Sequence, residues 1–359
     1  MAVTSDNRIL AQGNEAIGLG AVSAGCLHFF GYPITPQNEV TEWFARELPK
    51  RGGFFLQSEA ENASAAMLFG ASTAGVRVMT STASPGWGLM QEVISNIAGA
   101  ELPCVIVNVQ RGGPGGGSTQ HAQMDYFSAT RGGHGGYRTI VLAPASVQEN
   151  CDFVQLGFYL ADKYRIPVVI LTDAIIGQMM EPLEVRSLDF GPLPPKDWAV
   201  RGTDKKGGRF DFITSVHGIF DYTGFLRRFD QKHREIMKAE VRYETRRVRD
   251  AEMVIVAYGY CARVSEDTIE MARTQGLKVG LIRPITLWPF PYQAIRRQAA
   301  RSRHFLVVED SLGQLIDDVR LAVEGKAQVH LLGATARHLA SASGMILPER
   351  VLEEVKRLL

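Results

Sequence analysis

Short apolar runs of strand length alternate with segments of helical period along most of the chain. Phe54-Phe55-Leu56 precedes a helical stretch from about Ala60 to Ala74, and Val76-Arg77-Val78-Met79 follows. A helix from about Gly88 to Ala98 then leads into Val105-Ile106-Val107-Asn108-Val109. The next units are Thr139 to Leu142, a helix from about Val147 to Ala161, and Val168-Val169-Ile170-Leu171. These runs are mostly apolar instead of alternating, which predicts strands buried on both faces in a parallel sheet covered by helices.

The pattern weakens between Asp189 and Arg249. Its first part, with PLPPKDW and RGTDKKGGR, reads as an irregular excursion, and DQKHREIMKAEVRYETRRVRD reads as one exposed helix with a solvated face. Alternation resumes with MVIVAYG, a helix near Val264 to Thr274, VGLIRP, a helix near Tyr292 to Ala300, FLVVED, a helix near Leu315 to Val323, and VHLLG. The expectation is an α/β chain of two parallel-sheet, three-layer domains, 1–187 and 251–359, joined by an irregular connection and charged helix over 188–250. A chain of 359 residues with 45% hydrophobic content is long enough to bury two such cores.

Charge removes two classes of partner. With 39 basic and 38 acidic residues, a net +1 gives no electrostatic reason to expect nucleic acid or an anionic membrane surface. The start, MAVTSDNRILAQGNEAIGLG, lacks a basic region followed by an apolar core, and no stretch approaches the roughly 18 apolar residues of a membrane span. A cytoplasmic protein is expected. Cys26, Cys104, Cys151 and Cys261 are scattered without a CxxC pair or a close histidine, which argues against a metal site or iron–sulfur cluster built by this chain alone.

Candidate chemistry sits where predicted strands end. In Gly31-Tyr32-Pro33-Ile34-Thr35-Pro36-Gln37-Asn38-Glu39 two prolines fix φ and hold Ile34 and Thr35 out of a helix, which presents the Thr35 hydroxyl. A plain turn before a helix near Gln37, capped by Thr35 or Asn38, reads equally well. Arg111-Gly112-Gly113-Pro114-Gly115-Gly116-Gly117-Ser118 follows the strand CVIVNVQ, beyond a strand's carboxyl end, where open α/β sheets bind ligands. It lacks the endings of a P-loop or a dinucleotide fingerprint. Arg111 is placed to fork onto a carboxylate or to form a structural ion pair. Arg131-Gly132-Gly133-His134-Gly135-Gly136 reads as another loop on the same rim. Gln57-Ser58-Glu59-Ala60-Glu61-Asn62-Ala63 puts acids at a strand end and helix start, suited to the helix dipole or to sharing a proton with a heteroaromatic nitrogen.

With YPITP, SEAENA, Thr80-Ser81-Thr82-Ala83-Ser84-Pro85-Gly86 and VQRGGPG in that order, and GLIRPITLWPFP further on, the chain resembles the alpha-type subunit of 2-oxoacid:ferredoxin oxidoreductases over essentially its whole length. The resemblance implies a thiamine diphosphate pyrimidine-binding domain followed by a transketolase C-terminal-like domain. It implies an oxidoreductase converting a 2-oxoacid and coenzyme A to acyl-CoA, carbon dioxide and reduced ferredoxin. Thr35 would meet the substrate carboxylate or the thiazolium end, Arg111 the carboxylate, and Glu59 the pyrimidine nitrogen, with Glu61 the competing acid. Ser84 and Pro85 would flank the cofactor, and Tyr32, Trp87 and His121 the substrate. Trp87 read without the resemblance is a core aromatic and His121 a surface loop residue.

The chain shows no Gly-Asp-Gly followed by an asparagine pair, the arrangement that holds magnesium and diphosphate in this cofactor class. The resemblance therefore implies partners: a beta-type subunit with the magnesium and diphosphate half, a gamma-type subunit, and a delta-type ferredoxin-like subunit, with iron–sulfur clusters held by partners. SPGWGLMQE, AGAELPCVIVNVQRGGPGGG and GQMMEPLE look closest to the branched-chain 2-oxoisovalerate enzymes. A 2-oxoglutarate or aryl 2-oxoacid substrate, the beta chain of a lipoamide-dependent dehydrogenase, and a non-catalytic scaffold subunit are the alternatives.

Overall fold

The computed structural model describes residues 8–200, 221–336 and 344–359. The RGTDKKGGR run of the expected excursion lies outside the described residues. The described chain runs β1 (Ile9–Gln12), α1 (Gly13–Ser23), β2 (His28–Gly31), α2 (Asn38–Glu47), β3 (Phe54–Gln57), α3 (Glu61–Thr73), β4 (Val78–Thr82), α4 (Ser84–Gly99) and β5 (Cys104–Gly112). There follow β6 (Ser118–His121), α5 (Tyr126–Arg131), β7 (Ile140–Leu142), α6 (Val147–Tyr164), β8 (Pro167–Asp173), α7 (Ala174–Gln178) and β9 (Met180–Leu183). The remainder is α8 (Tyr222–Ala239), β10 (Tyr243–Arg246), β11 (Met253–Val256), α9 (Gly259–Thr274), β12 (Val279–Pro284), β13 (Thr286–Trp288), α10 (Tyr292–Ala299), β14 (His304–Val308), α11 (Leu315–Val323), β15 (Gln328–Leu332) and α12 (Pro348–Leu358).

The first sheet has the order β13-β7-β8-β5-β4-β2-β3, with β6 paired to β5 off this path. Its strands from β2 to β8 pair in parallel, apart from β6, as the apolar runs require. Helices cover both faces. Trp87, Met90, Ile94 and Ile97 of α4 pack on one side, and Ile17, Val154 and Phe158 of α1 and α6 on the other. The second sheet, β10-β12-β11-β14-β15, is parallel except for β10. A small antiparallel pair, β1 with β9, lies outside both.

Several expectations need correction. Val76 and Arg77 precede β4, which instead runs on through buried Thr80, Ser81 and Thr82. Helix α4 starts at Ser84, not near Gly88, because Pro85 at its first turn suits a helix start. The charged stretch is not one helix: α8 ends at Ala239, and Tyr243–Arg246 form β10, an antiparallel strand beside β12. The segment 286–288 from the second half crosses over to become the edge strand β13 of the first sheet.

Candidate active site

Four adjacent strands, β3, β2, β4 and β5, deliver their carboxyl ends to one rim. Thr35 follows β2, Glu59 and Glu61 follow β3, Ser84 and Pro85 follow β4, and Arg111 lies near the end of β5. The rim is where open parallel sheets leave a crevice for ligands.

The loop after β2 is fixed from below. Gln37, fully buried, donates from Nε2 to the Tyr32 carbonyl at 3.0 Å, while its Oε1 accepts from Thr41 at 3.2 Å and from the Ser81 hydroxyl of β4. Asn14 donates to the Pro36 carbonyl at 2.9 Å. Helix α2 has Gln37 at its cap position and no side-chain capping bond, so Thr35 and Asn38 do not serve as caps. Thr35 and Tyr32 are half-buried on this loop.

Arg111 spans two loops. Its Nη1 donates to the Thr35 carbonyl at 2.7 Å and its Nη2 to the Gly116 carbonyl at 2.8 Å, while Nε is buried without a partner. Among the described residues no carboxylate pairs with this guanidinium, which leaves room for an acid from a ligand. Behind it lies a hydrogen-bonded group. The Arg111 amide donates to Ser84 Oγ at 3.0 Å, the Ser84 hydroxyl donates to Asp125 Oδ2, and Asn108 Nδ2 donates to the same oxygen at 3.2 Å. The Asp125 amide donates to Gln110 Oε1 at 3.2 Å. Burial pushes the Asp125 carboxyl up to about 6, against the lowering effect of Ser84, Asn108 and the Arg111 charge.

The two acids after β3 have different surroundings. Glu59 is exposed in the turn. Glu61 opens α3, is only 6% exposed, and makes no hydrogen bond among the described residues. Its carboxylate rests on Gly86, where an added Cβ would stand 2.7 Å from Oε1 and 2.2 Å from Thr82 Oγ1. With no protein partner among the described residues, this carboxylate is open to a ligand or to water.

Other expected residues lie elsewhere or are already engaged. Trp87 is 1% exposed and packs within the core beneath α4, as a core aromatic does. His121 is not a surface histidine: its Nδ1 lies 2.9 Å from Asp310 Oδ2 and its ring edge packs on Tyr260. It belongs to the seam with the second sheet, where Gln123 donates its amide to the Asp310 carbonyl at 2.7 Å and Nε2 to the Tyr258 carbonyl at 2.9 Å. Loop 131–136 leaves the rim, packing on Gln91 and Ser95 within α4 before entering β7 at its amino end. Asn108, Gln110 and Asp125 were not singled out from sequence. Two polar residues within the apolar run CVIVNVQ were the available signal.

A cleft of about 950 Å³ opens at the far side of the first sheet, between α8 and the β13–α10 segment, lined by His233, Lys238, Trp288, Tyr292 and Arg297 among others. It contains none of the rim residues Thr35, Glu61, Ser84 and Arg111. No helix among the described residues is long and apolar enough to cross a membrane.

The family described as "Pyruvate flavodoxin/ferredoxin oxidoreductase, thiamine diP-bdg" matches residues 19–246, and "Pyruvate:ferredoxin oxidoreductase core domain II" matches residues 251–341. The chain is 47% identical over 315 residues to ketoisovalerate oxidoreductase subunit VorB of Methanothermobacter thermautotrophicus, covering 87% of this chain and 89% of that one. It is 38% identical over 347 residues to 2-oxoglutarate synthase subunit KorA of Methanothermobacter marburgensis, covering 89% and 92%. The structure of 2-oxoglutarate:ferredoxin oxidoreductase from Magnetococcus marinus, with 2-oxoglutarate, coenzyme A and succinyl-CoA bound, superposes with a TM-score of 0.85 at 29% identity. That match covers 98% of this chain and 65% of the other.

Proposed function

Because the chain belongs to the 2-oxoacid:ferredoxin oxidoreductase family, we propose that it supplies the pyrimidine side of a thiamine diphosphate site and the contact for the substrate carboxylate. The substrate in this reading is 2-oxoisovalerate or another branched-chain 2-oxoacid, with coenzyme A as acyl acceptor. The observation that carries it is the buried Glu61 carboxylate, without a partner among the described residues, on the same rim as Arg111, whose guanidinium forms no ion pair among those residues and bonds only the Thr35 and Gly116 carbonyls.

Thiamine diphosphate, when bound, supplies the carbanion that adds to the oxoacid carbonyl carbon and the sink for the electrons released with carbon dioxide. Glu61 Oε1 would share a proton with the pyrimidine nitrogen, a role that exposed Glu59 is poorly placed to fill. The Gly86 cradle fits that assignment, since only a residue without Cβ leaves the carboxylate where it stands. Arg111 and the Thr35 hydroxyl would hold the oxoacid, and orientation of this kind removes much of a bimolecular barrier. Ser84 and Pro85 shape the wall at the start of α4, with the Ser84 hydroxyl engaged by Asp125.

In this reading magnesium, the diphosphate contacts and the iron–sulfur clusters come from beta-, gamma- and delta-type partner subunits, with ferredoxin as acceptor and the cytoplasm as the setting. All four cysteines are buried thiols, consistent with clusters held elsewhere. The division of the chain at 187 and 251 goes with it, qualified by β10, which lies before 251 but joins the second sheet, and by β13, which lies after 251 but joins the first. The 38% identity to a 2-oxoglutarate synthase subunit favours 2-oxoglutarate as the competing substrate.

The test is acceptor reduction by the complex purified through this subunit, with thiamine diphosphate and coenzyme A, on 2-oxoisovalerate, 2-oxoglutarate, pyruvate and phenylglyoxylate. Turnover fastest on 2-oxoisovalerate is expected. No turnover on any of them, with clusters and cofactor present, would remove the oxidoreductase reading in favour of a scaffold. Glu61→Gln is expected to lower kcat by at least about 10²-fold while Glu59→Gln stays near wild type. The reverse pattern returns the role to Glu59.

A further inference from the structure

Resting on the assignment of Arg111 to the substrate carboxylate, we propose that Asp125 is the positioning residue for that arginine and acts through Ser84. The Arg111 backbone is held by one side chain, Ser84, whose Oγ accepts the Arg111 amide at 3.0 Å. A hydroxyl has one hydrogen, and here it is given to Asp125 Oδ2, which fixes the direction of the lone pair that meets the Arg111 amide. Asp125 in turn is anchored to the same strand on both sides, accepting from Asn108 Nδ2 at 3.2 Å and donating its amide to Gln110 Oε1 at 3.2 Å. Asn108, Gln110 and Arg111 therefore share one acid at the carboxyl end of β5. Asp125 stands at the residue before α5 and makes no side-chain capping bond there, so its carboxylate is free for Ser84 and Asn108.

The arrangement also explains why a carboxylate can lie close to Arg111 without occupying it. Asp125 Oδ2 already receives two donors, and no ion pair joins Asp125 to the guanidinium among the described residues. The arginine instead spends its Nη groups on the Thr35 and Gly116 carbonyls, which stretch it between the two loops that frame the rim. Losing the acceptor at 125 frees Ser84 to turn, most readily to the Arg111 carbonyl that already lies 3.2 Å from its Oγ. The strand end then shifts and the guanidinium moves relative to the bound acid. The consequence falls on substrate binding and orientation, since Asp125 itself reaches no reacting atom.

The experiment is steady-state kinetics of the complete complex carrying Asp125→Ala, Asp125→Asn, Ser84→Ala or Arg111→Lys, with thiamine diphosphate half-saturation and thermal midpoint read in parallel. Asp125→Ala and Ser84→Ala are expected to raise the KM for the 2-oxoacid about tenfold or more, with cofactor half-saturation within threefold of wild type. Asp125→Asn keeps a carbonyl oxygen for both donors and is expected to restore KM to within threefold. Ser84→Ala removes no buried acid, so it reports even where Asp125→Ala folds poorly. An unchanged KM in Ser84→Ala overturns the proposal, as does parallel loss of KM, cofactor affinity and thermal midpoint in both Asp125 variants. If Arg111→Lys leaves KM unchanged, the carboxylate assignment of Arg111 fails. If Arg111→Lys raises KM and Ser84→Ala does not, only the positioning role fails.

Discussion

Replacing Gly86 with alanine should separate the site from the fold more sharply than removing any charged residue. The added methyl would stand 2.2 Å from Thr82 Oγ1 and 2.7 Å from Oε1 and Cγ of Glu61, where ordinary contact begins at 3.4 Å. Thr82 must therefore yield by about 1 Å and the Glu61 side chain by somewhat less, or α4 must lift at its first turn. Overpacking of this size costs about 1–3 kcal/mol of stability. If Glu61 shares a proton with the cofactor as proposed, the effect on activity is larger, since displacement by about 1 Å typically lowers a rate by about 10²-fold. The assay is turnover of the complex across a thiamine diphosphate titration, with thermal unfolding of the same samples. The expected result is a kcat lower by about 10²-fold, a raised half-saturation for the cofactor and a midpoint lower by a few degrees. Adding Thr82→Ala to Gly86→Ala removes the nearer clash and leaves the one at Glu61, so stability should recover further than activity. Gly99→Ala is the control, because a Cβ there meets nothing within 4 Å. Wild-type kcat and cofactor half-saturation in Gly86→Ala would refute the link between Glu61's position and cofactor handling.

Asp125, pushed up to about 6 by burial from an ordinary 3.8, contributes stability that is fully present below pH 3.8 and lost as pH rises through 6, about 3 kcal/mol by pH 8. Asp125→Asn should therefore gain in thermal midpoint over wild type at pH 8 and lose that gain at pH 4; an advantage independent of pH would contradict it. Burial pushes the thiols of Cys26, Cys104 and Cys151 up to about 12 and that of Cys261 well above its usual value. Native protein at pH 8 should take up no iodoacetamide at these sites within minutes by mass spectrometry, and four equivalents after unfolding in guanidinium. Arg283, with a 5% exposed side chain, joins Glu149 at the head of α6 to Glu244 of β10. Arg283→Met should lower stability by about 2 kcal/mol, since it strands a partly buried Glu149, while leaving the KM for the oxoacid unchanged; denaturant titration and kinetics check the two halves.

The central parallel strands of both sheets were legible because burial on two faces leaves runs such as Val105–Val107 and Val168–Leu171 with almost no polar residue. Helix starts were read late where the first turn carries no apolar period. Ser84-Pro85-Gly86 is helical because proline suits a first turn, and Trp87 only then begins the apolar stripe of α4. Strand β10 was hidden inside a charged stretch because all four of its residues are exposed, and only its antiparallel ladder with β12 makes it a strand. The acids after β3 were visible as a pair, yet their different burial was not, since it follows from the register of α3, which buries Glu61 and leaves Glu59 outside. His121 was misread because its partner, Asp310, is distant in sequence. Asp125 escaped notice for a related reason, since its three partners come from two different strand ends.

The crossing of β13 back to the first sheet sets an order of events for a chain leaving the ribosome. Most of that sheet is synthesised by the end of β8, but β7 then has no neighbour on its outer side until Thr286–Trp288 arrive. At about 5–20 residues per second, that gap lasts on the order of ten seconds. During it the nascent chain carries an apolar edge, Ile140–Leu142, of the kind that recruits other strands. Expression with slowed elongation or without chaperones should therefore favour aggregation of chains stalled between the two halves, while a truncation ending before Thr286 would carry that open edge permanently.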